Sequence, residues 1–199
     1  MGKLDTLEQV QVESREQWRT WLKKHHRRTE GVWLITFKKS VPGKYVDYPS
    51  TVEEALCFGW IDSVPRKLDA ERKMLYFCPR KPKSVWSKVN KERIVQLIAN
   101  ERMTAAGFKK IEAAKHNGSW TSIDAAEAME MPDDLQRALL RNKDALRHYG
   151  AFPPSARKQI IGWVLGAKTE VTRERRIAQC VELAAKNIRA NGQTVKAQR

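Results

Sequence analysis

The chain has 199 residues and carries 38 Lys and Arg against 23 Asp and Glu, a net charge of +15. That length suits one domain, or one domain with a helical appendage, and buries enough surface to need no staples. No stretch approaches the ~18 apolar residues of a membrane span, and Met1-Gly2-Lys3-Leu4-Asp5 lacks the apolar core of a signal peptide, so a cytoplasmic protein is expected.

Ser14 and Gln17 form a capping-box pattern ahead of Trp18, Trp21 and Leu22, which predicts a helix to about His25. The cationic run 23–28 follows its apolar face. Val32–Phe37, rich in β-branched and aromatic residues, reads as a strand, and Pro42-Gly43 as a turn. Ser50 with Glu53 predicts a second helix through Val52, Ala55 and Leu56, ended by Gly59. Two strands follow, Trp60–Val64 and Lys73–Cys78, joined by a turn near Asp69 and stopped by Pro79 and Pro82. Ser87 is expected to cap a helix burying Ile94, Leu97 and Ile98. Thr104 is expected to cap another carrying Phe108, Ile111 and Ala114, with Gly118 beyond its end.

After Trp120 the strand pattern disappears. Pro132 with Asp133 and Asp134 marks a first helical turn. Pro153-Pro154-Ser155 opens a helix with Ile160, Trp163, Val164 and Ala167 on one stripe. Thr172 opens the last, through Ile177, Cys180, Val181, Ala184 and Ile188, and residues 191–199 read as a frayed end. The expectation is an α+β fold: a small antiparallel sheet with packed helices over 1–120, then an all-helical part over 121–199. The second part forms either its own module or one compact unit with the first.

Few motifs carry chemistry. Cys57, Cys78 and Cys180 are odd in number, far apart and in apolar contexts, as buried free thiols are. Gly162–Thr169 is one substitution from a phosphate-binding loop, but Ala167 replaces a needed glycine and a helix precedes it. Ser155-Ala156-Arg157-Lys158 lacks the companion motifs of serine acyl enzymes. The four histidines show no metal spacing. Neither a catalytic residue, a metal site nor a cofactor is expected.

Two cationic features remain. Arg80–Asn90 gathers four cations, two hydroxyls, an amide and an indole between a strand end and a helix start, where the helix dipole favours anions. Antiparallel pairing would bring Asp62 towards Arg80, so Trp60, Asp62, Arg80, Ser84, Trp86, Ser87 and Asn90 form the candidate ligand site. A buried structural ion pair is the competing account of Asp62 and Arg80. Separately, the last two helices have the outline of a helix-turn-helix, with Lys168, Arg173, Arg175 and Arg176 near the second helix's start. The overall charge also raises nonspecific affinity for nucleic acids, being spread as +8 over residues 1–100 and +7 over 101–199.

Glu54–Ser63, Phe77–Arg80 and Ser84–Asn90, followed by Met103, Gly107, Ala114-Lys115 and Gly118–Trp120, resemble blocks of the bacterial YdeI/OmpD-associated family. Ser155–Arg157, Ala167-Lys168 and Thr172-Arg173 are similar to its C-terminal module. The resemblance implies an α+β domain followed by a helical one, and a role in bacteriocin protection or stress without stated chemistry. The expected function is a non-catalytic protection factor that binds a small anionic or polar ligand, or a protein partner. Nucleic-acid binding through the basic helical unit is the second reading. An enzyme acting on a small anionic substrate is the third.

Overall fold

The computed structural model describes Leu4 and residues 6–190. The chain divides between Thr121 and Ser122 into two compact units. The expected fraying of residues 191–199 lies outside the described residues.

The first unit is α+β, with β1 (Gln9–Gln11), α1 (Arg15–His25), β2 (Val32–Phe37), α2 (Tyr48–Cys57), β3 (Trp60–Lys67), β4 (Arg72–Pro79), α3 (Lys88–Ala99) and α4 (Ala105–His116). Its sheet runs β1-β2-β4-β3. The β2–β4 and β3–β4 pairs are antiparallel, and β1 adds a parallel edge that makes the sheet mixed. All six residues of β2 are buried, because this central strand is covered on both faces. Val32 and Leu34 join the main core of Trp18, Leu22, Leu56, Trp60, Phe77, Trp86 and Ile94. On the opposite face Trp33, Ile35 and Met74 form a smaller cluster.

Local chemistry sets the helix ends. Ser14 Oγ accepts the Gln17 N–H, and the Gln17 side chain accepts from the Glu13 N–H, so the cap is reciprocal but one residue wide of a strict box. The start of α2 differs from expectation: Asp47, not Ser50, is the N-cap. Its carboxylate accepts both the Ser50 N–H and the Ser50 hydroxyl, and Pro49 fits the first turn without a donor to lose. Ser87 caps α3 by accepting the Asn90 N–H. Ile94 and Leu97 are buried as expected, whereas Ile98 is 44% exposed and Phe108 on α4 is 39% exposed. Thr104 precedes α4 without capping it, since its hydroxyl donates instead to the Cys57 carbonyl at 2.6 Å.

The second unit is helical: α5 (Asp124–Glu127), α6 (Asp133–Leu140), α7 (Lys143–Ala151), α8 (Pro154–Leu165) and α9 (Glu170–Ala185). Its own core joins Leu135, Leu139, Tyr149, Ile160, Val164 and Cys180. Helix α9 starts at Glu170 because Thr169 Oγ1 accepts the Thr172 N–H; Thr172 is inside the helix and does not open it. Ala167 and Ile188 fall beyond the ends of α8 and α9, so neither extends an apolar stripe. Pro132 is the N-cap of α6 rather than part of its first turn.

Candidate functional site

Gly59 turns the chain from α2 into β3 with φ +75°, a conformation that disfavours other residues. A Cβ there would also lie 2.6 Å from Lys110 Cγ and 3.1 Å from the Ala106 carbonyl, so α4 presses directly on this turn. The Gly59 carbonyl accepts the Arg80 N–H at 3.0 Å, and the Arg80 carbonyl accepts from Lys110 Nζ at 2.8 Å. The end of β4, the α2–β3 turn and α4 are thereby stitched into one wall. The loop leaving β4 is tied down further on, where the Pro82 carbonyl accepts from Asn117 Nδ2 and Ser119 Oγ.

These segments and the α1–β2 loop enclose an open cleft of about 970 Å³. Six of its lining residues are formally cationic: Arg27, Arg28, Arg80, Lys81, Lys109 and Lys110, with His26 beside them. None is acidic. Arg28 is partly neutralised by Glu8, while Arg27, Lys81 and Lys109 are exposed.

Arg80 is the unusual member. It is 3% exposed, and its guanidinium carbon lies 3.6 Å from the centroid of the Trp86 ring. One nitrogen donates to the Val85 carbonyl, but Nε and Nη1 have no hydrogen-bond partner among the described residues. Burial pushes its pKa down to about 10, opposed by the charge of Asp62, so it stays cationic at neutral pH. A buried cation without a carboxylate partner is costly, and an anion in the adjoining cleft would relieve part of that cost. Trp86 is buried in turn against Trp120, 5.1 Å between ring centroids, with Lys91 and Lys115 over the far indole.

The structure separates the residues expected to share this site. Arg80 and Trp86 lie together at the cleft. Trp60 is fully buried and donates its indole N–H to the His26 carbonyl at 2.9 Å, which positions the α1–β2 loop. Asp62 does not ion-pair with Arg80. The register sets Trp60 opposite Pro79 and Asp62 opposite Phe77, and Arg80, just past the last paired residue, turns to Trp86. Asp62 instead accepts the Tyr48 hydroxyl at 2.8 Å and lines a different cavity. Ser84, Ser87 and Asn90 line neither space: Ser87 serves as the α3 cap, and Asn90 Oδ1 accepts from Arg93.

Lys109, Lys110 and Arg27 were missing from the sequence-derived site. The run 23–28 was visible as charge, but nothing local shows that α4 lies across from it. In the helical unit, Arg173 makes a two-nitrogen contact with Asp134, and Arg176 donates to the Trp163 carbonyl and lies over its ring. Of the four cations named for nucleic acid, Lys168 and Arg175 remain exposed. Among the described residues no cluster of three or more His, Cys, Asp or Glu could hold a metal ion, and no helix is long and apolar enough to cross a membrane.

Two family models match the chain. Residues 10–110, just over half of it, match a domain of unknown function, DUF8412, and the chain belongs to that family. Residues 128–187 match the family described as bacteriocin-protection, YdeI or OmpD-associated, which agrees with the resemblance read from the sequence over the helical part. The blocks at 54–90 that shared in that resemblance fall within the DUF8412 match. No curated protein and no solved structure matches the chain.

Proposed function

We propose that this member of a family without assigned chemistry is a non-catalytic binding protein that holds an anionic ligand in the cleft beside Arg80. The reading places it among protection factors of the bacteriocin-protection type, acting in the cytoplasm, where its three free thiols would stay reduced. One observation carries it: a cleft lined, among the described residues, by six cations and no carboxylate, with a buried, incompletely satisfied guanidinium in its wall. Low-dielectric walls of one sign focus the field and concentrate counter-ions. Arg80 supplies fixed charge, and the exposed Arg27, Lys81 and Lys109 supply donors that move to meet the ligand.

Calorimetric titration with inorganic phosphate, tripolyphosphate and a short single-stranded oligonucleotide tests the reading. Binding of the compact anions with saturable one-site stoichiometry is expected. Binding of the oligonucleotide alone, with a steep loss of affinity as salt rises, would move the function to the nucleic-acid reading. No saturable binding of any of the three would overturn the proposal.

A further inference from the structure

The edge strand β3 is irregular where it passes α2. Asp62 stands opposite Phe77 and Pro65 opposite Leu75, so β3 advances three residues while β4 advances two. One extra residue bends a strand and lifts it from its partner, a device often found beside binding sites. Here a cavity of about 290 Å³ lies at the bulge. That is near the lower bound of small-molecule sites, which run to roughly 300–1,000 Å³.

The lining is mixed in a specific way. Leu34, Val46 and Leu75 give an apolar floor, and Tyr48 and Thr51 come from the first turns of α2. Asp62 and Lys73 bring opposite charges to the same space. Asp62 Oδ2 accepts the Tyr48 hydroxyl, while Oδ1 accepts no hydrogen bond from any described residue. Burial and the Asp62 carboxylate push the Tyr48 phenol up to about 12, so it remains a donor at neutral pH. Lys73 makes no ion pair with any described residue. The other lining cation is directed elsewhere, with the Arg66 guanidinium over the Trp33 ring at 4.6 Å. Thr36, 5% exposed, adds a hydroxyl beside the floor.

We infer that this cavity is a second ligand site, and that it takes a small zwitterion with an apolar body, the chemistry of a free aliphatic or aromatic amino acid. An ammonium meets the open oxygen of Asp62, a carboxylate meets Lys73, and the side chain lies on Leu34, Val46 and Leu75. A ligand with one charge would leave one of the two wall groups unmatched. A nucleotide is too large for the space. The site is separate from the anion cleft, and its test does not depend on that reading.

The test is calorimetry on the full chain with leucine, methionine and phenylalanine, set against 3-methylbutylamine and 4-methylpentanoate, which each keep one charge of leucine. At least one amino acid should bind with a Kd below about 1 mM, and both single-charge analogues should bind at least tenfold more weakly. Asp62→Asn and Lys73→Met should each weaken amino-acid binding at least tenfold. Lys73→Met is the arm that keeps the test alive if Asp62→Asn fails to fold, and Arg80→Met should leave this binding unchanged. Absence of binding by all three amino acids at ~10 mM, equal binding by an analogue, or wild-type affinity in a folded Asp62→Asn or Lys73→Met protein would each overturn the inference.

Discussion

The Arg80 guanidinium sits over the Trp86 ring, 3.6 Å from its centroid, and both side chains are almost wholly buried. The contact holds a cation in a wall where no carboxylate of the described residues forms an ion pair with it. Arg80→Met keeps the stem and removes the charge. Losing the cation–π contact costs about 0.5–2 kcal/mol, and removing an unneutralised buried charge returns a similar amount. Unfolding free energy from urea titration should therefore change by less than about 1 kcal/mol. Affinity for tripolyphosphate should fall at least tenfold, about 1.4 kcal/mol. A stable variant with unchanged affinity places anion binding elsewhere.

Two glycines separate steric from conformational demand. A Cβ on Gly107 would lie 2.4 Å from the Cys57 carbonyl oxygen, a backbone atom that cannot swing aside. Gly118 has φ +77° but open space around it. Gly107→Ala should cost about 2–3 kcal/mol through overpacking, even after the gain in helix propensity. Gly118→Ala should cost about 1 kcal/mol for its left-handed backbone alone. Similar midpoints and slopes for the two variants in urea would mean that α4 does not press on the end of α2 as described.

These glycines also mark where the sequence stops being legible. Helices α1, α3 and α8 and the β3–β4 hairpin follow from local periodicity and caps, because a residue's neighbours in the chain decide them. Strand β1 offers only Val10 between two glutamines, and its parallel pairing with β2 depends on a partner more than twenty residues away. The same limit applies to the candidate site. Arg80 and Trp86 stood out as a dense polar-aromatic stretch, but Lys109 and Lys110 reach the cleft only because Gly59 and Gly107 let α4 approach. Asp62 parted from Arg80 because pairing ends at Pro79. A single-residue difference in register is not encoded in composition.

Glu54 is fully buried and bonded to Arg15, Arg19 and Arg102. Burial pushes its pKa up, but the hydrogen bonds and charges of the three arginines outweigh that and hold the carboxyl below its usual range. A carboxyl depressed in the folded state adds stability that is fully present above its unfolded value, about 4.3, and is lost as pH falls through the folded value. Wild-type stability should decline on acidification below about pH 4.5. Glu54→Gln should cost about 1–3 kcal/mol at neutral pH, since it removes the buried charge that three partly exposed arginines share, and should flatten that part of the acid profile. An unaltered profile in the variant would assign acid sensitivity to other carboxylates.

The thiols should be inert in the folded chain. Burial pushes Cys57 and Cys180 up, Cys180 to about 12, and raises half-buried Cys78 as well. Thiolate is the reactive form, so iodoacetamide at pH 8 should label the native protein slowly and all three positions after unfolding. The melting temperature should be the same with and without reductant. Rapid labelling of Cys180 without unfolding would show that the helical unit opens locally.

Arg173 and Arg175 lie two residues apart on α9 and should behave as opposites. Arg173 is 23% exposed and grips Asp134 through two nitrogens, a bond that holds the side chains of each well within their charged ranges. Arg173→Gln should cost about 1 kcal/mol, the upper range for a partly exposed pair of good geometry. Arg175 is exposed, and Arg175→Gln should change stability by less than about 0.5 kcal/mol. The double variant Lys168→Gln/Arg175→Gln therefore tests the helix-turn-helix reading without disturbing the fold. If the start of α9 and the turn before it contact phosphates through these two side chains, the slope of log affinity for duplex DNA against log salt should shallow by about 1.8. Our expectation is a shallowing of less than about 0.5, because nonspecific attraction comes from charge spread along the whole chain. The larger shift would transfer the binding function from the Arg80 cleft to the helical unit.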